Sequence, residues 1–392
     1  MKILFLSFYF PPDLSAGSFR SNSLVKTLLS TGIKFLEIEV ITTLPNRYNS
    51  FYEDASTFEK CPGLTIHRIK TPRHNSGMLA QSRAFFAYAM DARKLVKHND
   101  YDLVYATSGR LMTAVLGAYF AKNLRRPLYL DIRDIFADAV YDALPYKAGL
   151  LLKPVFSMLE RYAVNYAGRV NLVSAGFLPY FQQRYPRNDF DLFTNGIDYQ
   201  FLNPASEQCP TGISKVLTVV YAGNIGEGQG LHKIIPELAQ QYSGKLLFKI
   251  FGDGGRANEL RSRLRLLGCH NVILHPPVKR DELVNIYQSA DILFLHLNNF
   301  DAFKKVLPSK LFEYAATGKP IWAGVAGYAA EFINTKIENS VVFPPCNVNA
   351  AISTFNDLEI VTRHRTEFIK EFSRKNIMKK MAKTIVYFCQ NC

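Results

Sequence analysis

Cysteine is scarce. Six residues, Cys61, Cys209, Cys269, Cys346, Cys389 and Cys392, are scattered over 392 positions without the spacing of a disulfide framework. In a chain of this length the pattern excludes a small disulfide-stapled scaffold and fits a reducing compartment. Cys389 and Cys392 form a CxxC, but no second ligand pair stands nearby, and a structural zinc site needs four ligands. Asn188 to Asp191, NDFD, holds an Asp-x-Asp with no further carboxylates to support it, whereas a hard cation needs several oxygen ligands; a solvated turn is expected there, and no metal or other cofactor. Apolar runs long enough to span a bilayer are also missing. The opening MKILFLSFYF is short, ends in Pro11 and Pro12 and is followed by no cleavage site, so a buried first strand is expected rather than a signal peptide. These absences point to a cytoplasmic protein.

Negative charge is in deficit: 33 Asp and Glu face 47 Lys and Arg, a formal net charge of +14. Such an excess implies an anionic partner, whether nucleotide phosphates, an acidic membrane surface or nucleic acid. The basic residues are dispersed and no nucleic-acid-binding module is present, which argues against nucleic acid. In other respects the composition is that of a globular protein, 48% apolar and 20% charged, and the length suggests two domains.

Both halves alternate strand-like and helix-like patterns. Strands are expected at Lys2 to Phe8, Ile38 to Thr42, Thr65 to Ile69, Leu103 to Ala106, Leu128 to Asp131 and Arg169 to Val173, separated by helical stretches such as Ser21 to Ser30, Arg83 to Lys97 and Leu150 to Ala167. After a polar passage, TNGIDYQFLNPASEQCPTGISK, the pattern restarts with LTVVYAG and continues through LLFKIFGDG, NVILHPPV, ADILFLHL and KPIWAG. Alternation of this kind predicts parallel sheets covered on both faces. The expected organisation is two doubly wound, Rossmann-like domains, 1–204 and 205–362, facing a central ligand cleft, followed by a basic amphipathic helix over 363–392 with Phe368, Phe372, Met378, Met381 and Ile385 near one face.

Five segments carry candidate chemistry. PPDLSAGSFR leaves the first strand through Gly17 and Ser18 into a helix, where backbone amides can approach an anion; a purely structural turn is the alternative. Asp131, Arg133 and Asp134 follow an apolar strand, the position at which open α/β sheets bind ligands, unless they form a solvated salt-bridge loop. YAGNIGEGQGL offers Gly223 and Gly226 for close approach and Asn224 for a polar contact with phosphate or ribose. FGDGG resembles part of a dinucleotide fingerprint but lacks the full spacing. In VLPSKLFEYAATGKPIWAG a helix starts after Pro308, with Ser309 expected to accept from its first free amides. Lys310 adds charge to that helix start and suits phosphate. Glu313, one turn on, suits the two hydroxyls of a ribose. The alternative is an ion pair between the two, worth a few tenths of a kcal/mol, on the order of an ordinary i,i+3 contact. Separately, SRAFFAYAMDARKLVK mixes Arg83, Arg93, Lys94 and Lys97 with Phe85, Phe86 and Tyr88, as an interfacial helix or an ordinary packed one would.

Taken in order, FYFPPDLSAGSFR, LDIRDIF, FTNGID, YAGNIGEGQGL and LPSKLFEYAATGKPI resemble the retaining GT-B glycosyltransferases of the group 1, or family 4, type, particularly bacterial enzymes that extend O-antigen and capsule repeat units. The resemblance implies a GT-B fold, with the acceptor on the N-terminal domain, the donor on the C-terminal one and the final helix crossing back. It implies transfer of a hexosyl or N-acetylhexosaminyl group from a nucleotide diphosphate-sugar, UDP-sugar foremost, to a soluble or lipid-linked glycan without a metal, at the cytoplasmic face of the membrane. It places Asp131, Arg133 and Asp134 by the reacting sugar and acceptor, Gly17, Ser18 and Asn195 on the donor, Gly223, Asn224 and Ser309 along the donor cleft, Lys310 on pyrophosphate and Glu313 on ribose. In two places the chain departs from the family pattern. Lys305 stands where many relatives keep a sugar-binding Glu, which makes it a candidate sugar or phosphate contact. Asn224 and Gln229 stand where many relatives carry Arg and Lys. A nucleotide-sugar 2-epimerase on a similar fold and a non-enzymatic nucleotide-binding protein are the alternatives.

Overall fold

A computed structural model describes residues 1–47, 53–72, 78–135, 146–202 and 216–391. Residues 203–215 of the expected linker, residues 136–139 of the segment after the Asp131 strand, Cys209 and Cys392 lie outside the described residues. The chain forms two compact units, Met1–Asn195 with the segment from Lys375 onward, and Gly196–Arg374.

In the first unit β1 (Lys2–Leu6), β2 (Glu37–Thr43), β3 (Phe58–Cys61), β4 (Leu64–Ile69), β5 (Leu103–Thr107), β6 (Leu128–Ile132), β7 (Arg169–Leu172) and β8 (Phe190–Asp191) form one sheet in the order β3-β4-β2-β1-β5-β6-β7-β8. All neighbours are parallel except β3 and β4. β1 lies near the middle, where Ile3, Leu4, Phe5 and Leu6 are buried on both faces, which is why it is a continuous apolar run rather than an alternating one. β3 and β8 carry no apolar pattern in sequence: FEKC is a polar edge strand defined by its partner β4, and β8 is two residues long.

The second unit has its own all-parallel sheet of β9 (Leu217–Ala222), β10 (Leu246–Phe251), β11 (Val272–His275), β12 (Ile292–His296), β13 (Ile321–Gly324) and β14 (Ser340–Phe343), in the order β11-β10-β9-β12-β13-β14. The order reverses beside β9, the topological switch point at which such sheets bind ligands beyond their carboxyl ends. β14, a short SVVF, extends the sheet beyond the expected last strand, KPIWAG.

The expected C-terminal helix is two helices, Thr366–Glu371 and Arg374–Gln390. The break is made by backbone pairing: Ile197 N–H donates to Phe372 O at 2.8 Å and Arg374 N–H to Ile197 O at 2.9 Å. Phe368 and Phe372 therefore belong to the core of the second unit, with Phe312 and Phe332, while Met378, Met381 and Ile385 belong to the core of the first. The chain changes unit at Asn195/Gly196 and again at Arg374/Lys375. The helix Met78–Val96, expected as either an interfacial or an ordinary packed helix, packs through two of its three aromatics. Phe85 and Tyr88 point inward onto Phe8, and Tyr88 Oη donates to Ile41 O at 2.8 Å, so of the three aromatics only Phe86 is exposed.

Candidate functional site

In the first unit the loop after β1 enters the helix Ala16–Leu29 through Ser15, whose Oγ accepts from Ser18 N–H at 3.1 Å. A side chain at position 17 would place Cβ 2.0 Å from Arg133 Nη1, so Gly17 is the residue that lets the guanidinium cross the helix start. Arg133 N–H donates to Ser108 Oγ at 3.1 Å. Its Nε, Ser18 Oγ, Thr107 Oγ1 and Asn195 Oδ1 are buried with no hydrogen-bond partner among the described residues, at or beyond the carboxyl ends of β6, β1, β5 and β8 respectively. Asp134 is exposed beside them in sequence. Residues 18, 107, 133 and 195 thus present polar groups without a hydrogen-bond partner among the described residues, a condition that is costly unless a ligand or water meets it.

Asp131 is different. It is fully buried: Arg20 donates Nε to Oδ2 at 2.9 Å and Nη2 to Oδ1 at 3.0 Å, Tyr105 Oη donates to Oδ2 at 3.0 Å, and Asn171 Nδ2 donates to Oδ1 at 2.6 Å. Arg20 also reaches Thr194 O at 2.7 Å and Phe193 O at 2.8 Å, and Phe193 N–H donates to Asn171 Oδ1 at 2.7 Å. Burial alone would raise the Asp131 pKa; the Arg20 charge and hydrogen bonds reverse this and hold it below the usual carboxylate range. Asp131 is thus an internal anchor that fixes the approach to Asn195, and not part of a solvated salt-bridge loop. The NDFD pair is likewise engaged, with Arg169 donating to Asp191 at 2.7 and 3.0 Å and lying 3.7 Å from Asp189. A carboxylate that sequence reasoning passed over lies in the loop after β1. Asp13 is buried, its Oδ1 accepts from the backbone N–H groups of Asn46 and Arg47, and its Oδ2 has no protein partner. Burial raises its pKa to about 6, against the lowering by those amides. Its only signal in sequence was an acidic residue between Pro12 and Gly17.

In the second unit the loop after β9 meets the helix Ser309–Thr317. Gly223 has φ +144°, which favours glycine, and a side chain there would place Cβ 2.7 Å from Lys310 Nζ, so that the lysine would have to move. Lys310 is half-buried, and its ammonium lies 3.7 Å from the Tyr221 ring centroid and against Gly223. Desolvation lowers its pKa to about 7, with the Glu313 charge opposing. Ser309 is not the cap. Pro308 takes that place, having no donor to waste; Leu311 N–H donates to Pro308 O at 3.1 Å, and no side chain caps the amides of Ser309 and Lys310. Glu313 is buried and pairs with Arg280, whose Nη2 donates to Oε1 at 2.6 Å, rather than with Lys310. Arg280, at the start of the helix Arg280–Gln288, had no sequence signal; it precedes Glu313 by 33 positions.

The departures from the family pattern find each other. Asn224 Nδ2 donates to Gln229 Oε1 at 2.8 Å, forming a neutral pair. Gly254 packs so that a Cβ would lie 2.7 Å from Asn224 Oδ1, and Gly226 so that one would lie 2.4 Å from its Nδ2. Lys305 ends the 3-10 turn Asp301–Lys305 and is half-buried. His296 offers no acid or base: it is fully buried, its ring nitrogens lie 2.7 Å from Gln229 O and 3.0 Å from Cys346 N, and burial holds its pKa down near about 4. Since Cys346 N–H can only donate, Nε2 accepts and Nδ1 carries the proton. Among the described residues no group of three or more His, Cys, Asp or Glu is placed to hold a metal ion.

Comparison with known proteins agrees with this geometry. The family model for glycosyl transferases group 1 matches residues 210–375, and that for a glycosyl transferase 4-like domain matches residues 21–196. A protein of Escherichia coli (strain K12) named as a colanic acid biosynthesis glycosyl transferase, WcaI, is 26% identical over 164 residues, 41% of this chain and 40% of that relative's length. Among solved structures, sucrose-phosphate synthase from Thermosynechococcus elongatus superposes with a TM-score of 0.76 at 14% identity, covering 100% of both chains. HepE of Anabaena, solved in complex with UDP-glucose, does so with a TM-score of 0.70 at 17% identity, over 99% of this chain and 100% of that one. At such identities the likeness is one of fold, and that fold is GT-B. With two related family models reaching from residue 21 to residue 375, the chain belongs to the group 1 glycosyltransferases.

Proposed function

We propose that the protein transfers a hexosyl or N-acetylhexosaminyl group, with retention at the anomeric carbon, from a UDP-sugar to a lipid-linked glycan during surface polysaccharide biosynthesis. The observation that carries this reading is the start of the helix Ser309–Thr317, where uncapped amides, the Lys310 ammonium and the buried Glu313 carboxylate stand within two turns. Departure of a nucleoside diphosphate develops charge on its phosphates, and preorganised amides and a cation stabilise that charge most where water is excluded. Glu313 accepts the ribose hydroxyls. On the first unit, Arg133 and Asp134 serve the reacting sugar and acceptor. The UDP-glucose bound by HepE supports the choice of donor, and the name of WcaI the choice of polysaccharide. No metal takes part, so chelation by EDTA leaves turnover unchanged.

Thermal unfolding of the purified full chain against nucleoside diphosphates and nucleotide sugars tests the donor. UDP and one UDP-sugar raise the midpoint by mass action, and Glu313→Ala abolishes the shift. A chain that responds to none of these ligands would end the reading. Conversion of the nucleotide sugar without any acceptor would instead assign an epimerase.

The surface of the first unit supports a lipid-linked acceptor. The helix Met78–Val96 exposes Phe86 and Met90, and the helix Tyr146–Tyr166 exposes Val155 and Met158. Between them, touching both, runs the helix Leu111–Leu124, which adds half-buried Met112, Val115 and Tyr119. Arg83, Arg93, Lys94, Lys122 and Arg161 are exposed on the same three helices, and Lys97 just past the end of the first. Apolar side chains fringed by cations bind an anionic bilayer by partial insertion and charge together. Among the described residues no helix is long and apolar enough to cross a membrane. Vesicles containing phosphatidylglycerol are expected to carry the protein on flotation, neutral vesicles much less, and Phe86→Ser with Met158→Ser to reduce binding about tenfold or more, from the apolar area lost. Equal recovery with neutral and anionic vesicles, or none with either, contradicts membrane docking.

A further inference from the structure

Glu313 does not stand alone in its unit. Arg280 donates to Glu313 and also to Asp198, and its guanidinium carbon lies 5.0 Å from the centre of the Phe201 ring. Asp198 Oδ1 in turn lies 2.5 Å from Arg374 Nε, and Arg374 Nη2 donates to Gly196 O at 2.9 Å. The result is a row of alternating charges, Glu313, Arg280, Asp198 and Arg374, with side chains only 9%, 11%, 12% and 2% exposed. A row with two charges of each sign, each beside its opposite, can be buried where a lone carboxylate cannot.

On the reading that Glu313 receives the donor ribose, we propose that Arg280 is a positioning residue for nucleoside recognition. Two physical problems face a carboxylate used in this way. It must keep one orientation although its side chain has three rotatable torsions, and it must stay next to a diphosphate that repels it. Arg280 answers both: it occupies one lone pair of Oε1, leaving Oε2 and the second lone pair of Oε1 for the two hydroxyls, and it cancels the charge. Asp198 matters for a third reason. A guanidinium held only by Glu313 would be drawn to the diphosphate, whose geometry it also matches. With Asp198 and the Phe201 ring as further partners, Arg280 stays on the carboxylate, and the diphosphate is left to Lys310 and the helix amides.

The test is calorimetric titration of the full chain with UDP and with 2′-deoxy-UDP, which lacks one of the two hydroxyls. The unaltered protein is expected to prefer UDP by about tenfold or more, the worth of a hydrogen bond to a charged group. In Arg280→Gln the affinity for UDP falls about tenfold and the preference shrinks to roughly threefold or less, while Arg280→Lys keeps part of both. A merely structural role would lower the unfolding midpoint and leave the preference intact, and that result in a folded Arg280→Gln overturns the proposal. Should this variant not fold, Asp198→Asn, which keeps the Arg280 to Glu313 contact but loosens Arg280, is expected to show an intermediate preference; an unchanged one counts against it. If the unaltered protein binds neither nucleotide, the nucleotide reading itself falls and this proposal with it.

Discussion

Asp131→Ala is expected to destabilise the first unit by about 3–5 kcal/mol, the range found when one member of a buried ion pair is removed. The substitution deletes the acceptor of two Arg20 donors, the Tyr105 hydroxyl and the Asn171 amide, leaving a guanidinium that is 1% exposed without its counter-charge. Asp131→Asn, which keeps the shape and one acceptor, should lose less. The pH dependence has a definite sign. The folded-state pKa of Asp131 is depressed, so its contribution is fully present above the ordinary carboxylate value near 3.8 and is lost as pH falls through the folded value. Denaturant unfolding at pH 7 of the unaltered protein and the two variants measures the effect. A change below about 1 kcal/mol in Asp131→Ala, the scale of an exposed pair, would mean that the carboxylate is not the anchor described. If Asp131 were instead catalytic, the alanine variant would retain stability and lose turnover.

Removing the Lys310 ammonium is expected to lower turnover by about 10²–10³-fold, the cost of deleting one preorganised group from a site that stabilises developing negative charge. Lys310→Ala should leave the fold intact, since the ammonium lies beside the Tyr221 ring and Gly223 while Glu313 pairs with Arg280 instead. The unaltered protein carries a further signature. Its Lys310 pKa of about 7 rises when a diphosphate binds, so binding takes up a proton wherever the free lysine is neutral. Affinity is therefore full below pH 7 and declines as pH rises above it, by up to about tenfold per pH unit until the bound-state pKa is reached. Calorimetry with UDP between pH 7 and 9, in two buffers of different ionisation enthalpy, reads both the decline and the proton uptake. The alanine variant should show neither. A pH-independent affinity in the unaltered protein would remove Lys310 from the phosphate site.

Much of the architecture was legible because it rests on local pattern. Continuous apolar runs such as ILFL in β1 mark strands buried on both faces, and their alternation with helical spacing leaves few folds other than parallel sheets. What escaped was set by partners rather than pattern. β3 is a strand because β4 pairs with it, and the break before Arg374 exists because Ile197 pairs with the backbone there. Phe85 and Tyr88 looked interfacial beside Phe86 because adjacent helix positions point in different directions, and only packing on Phe8 shows which are inside.

The candidate site divides in the same way. Glycine positions, the helix start at Pro308 and the presence of Lys310 and Glu313 on its first turns follow from local chemistry that any reader of the chain can reconstruct. The role of a charge, by contrast, depends on what faces it, and facing groups come from afar. Asp131 and Arg20 are 111 positions apart, yet their pairing makes Asp131 an internal anchor. Arg280 is silent in sequence, yet it is the group that holds Glu313. Lys310 became a titrating lysine only when folding laid it between Tyr221 and Gly223. Local sequence thus settled the type and order of most backbone elements, because helix and strand propensities act over a few residues, while pairing set the edge strand β3 and the break before Arg374. Burial and long-range pairing settled which charges are structural and which stand ready for a ligand, because solvation and Coulomb energies are properties of the folded surroundings.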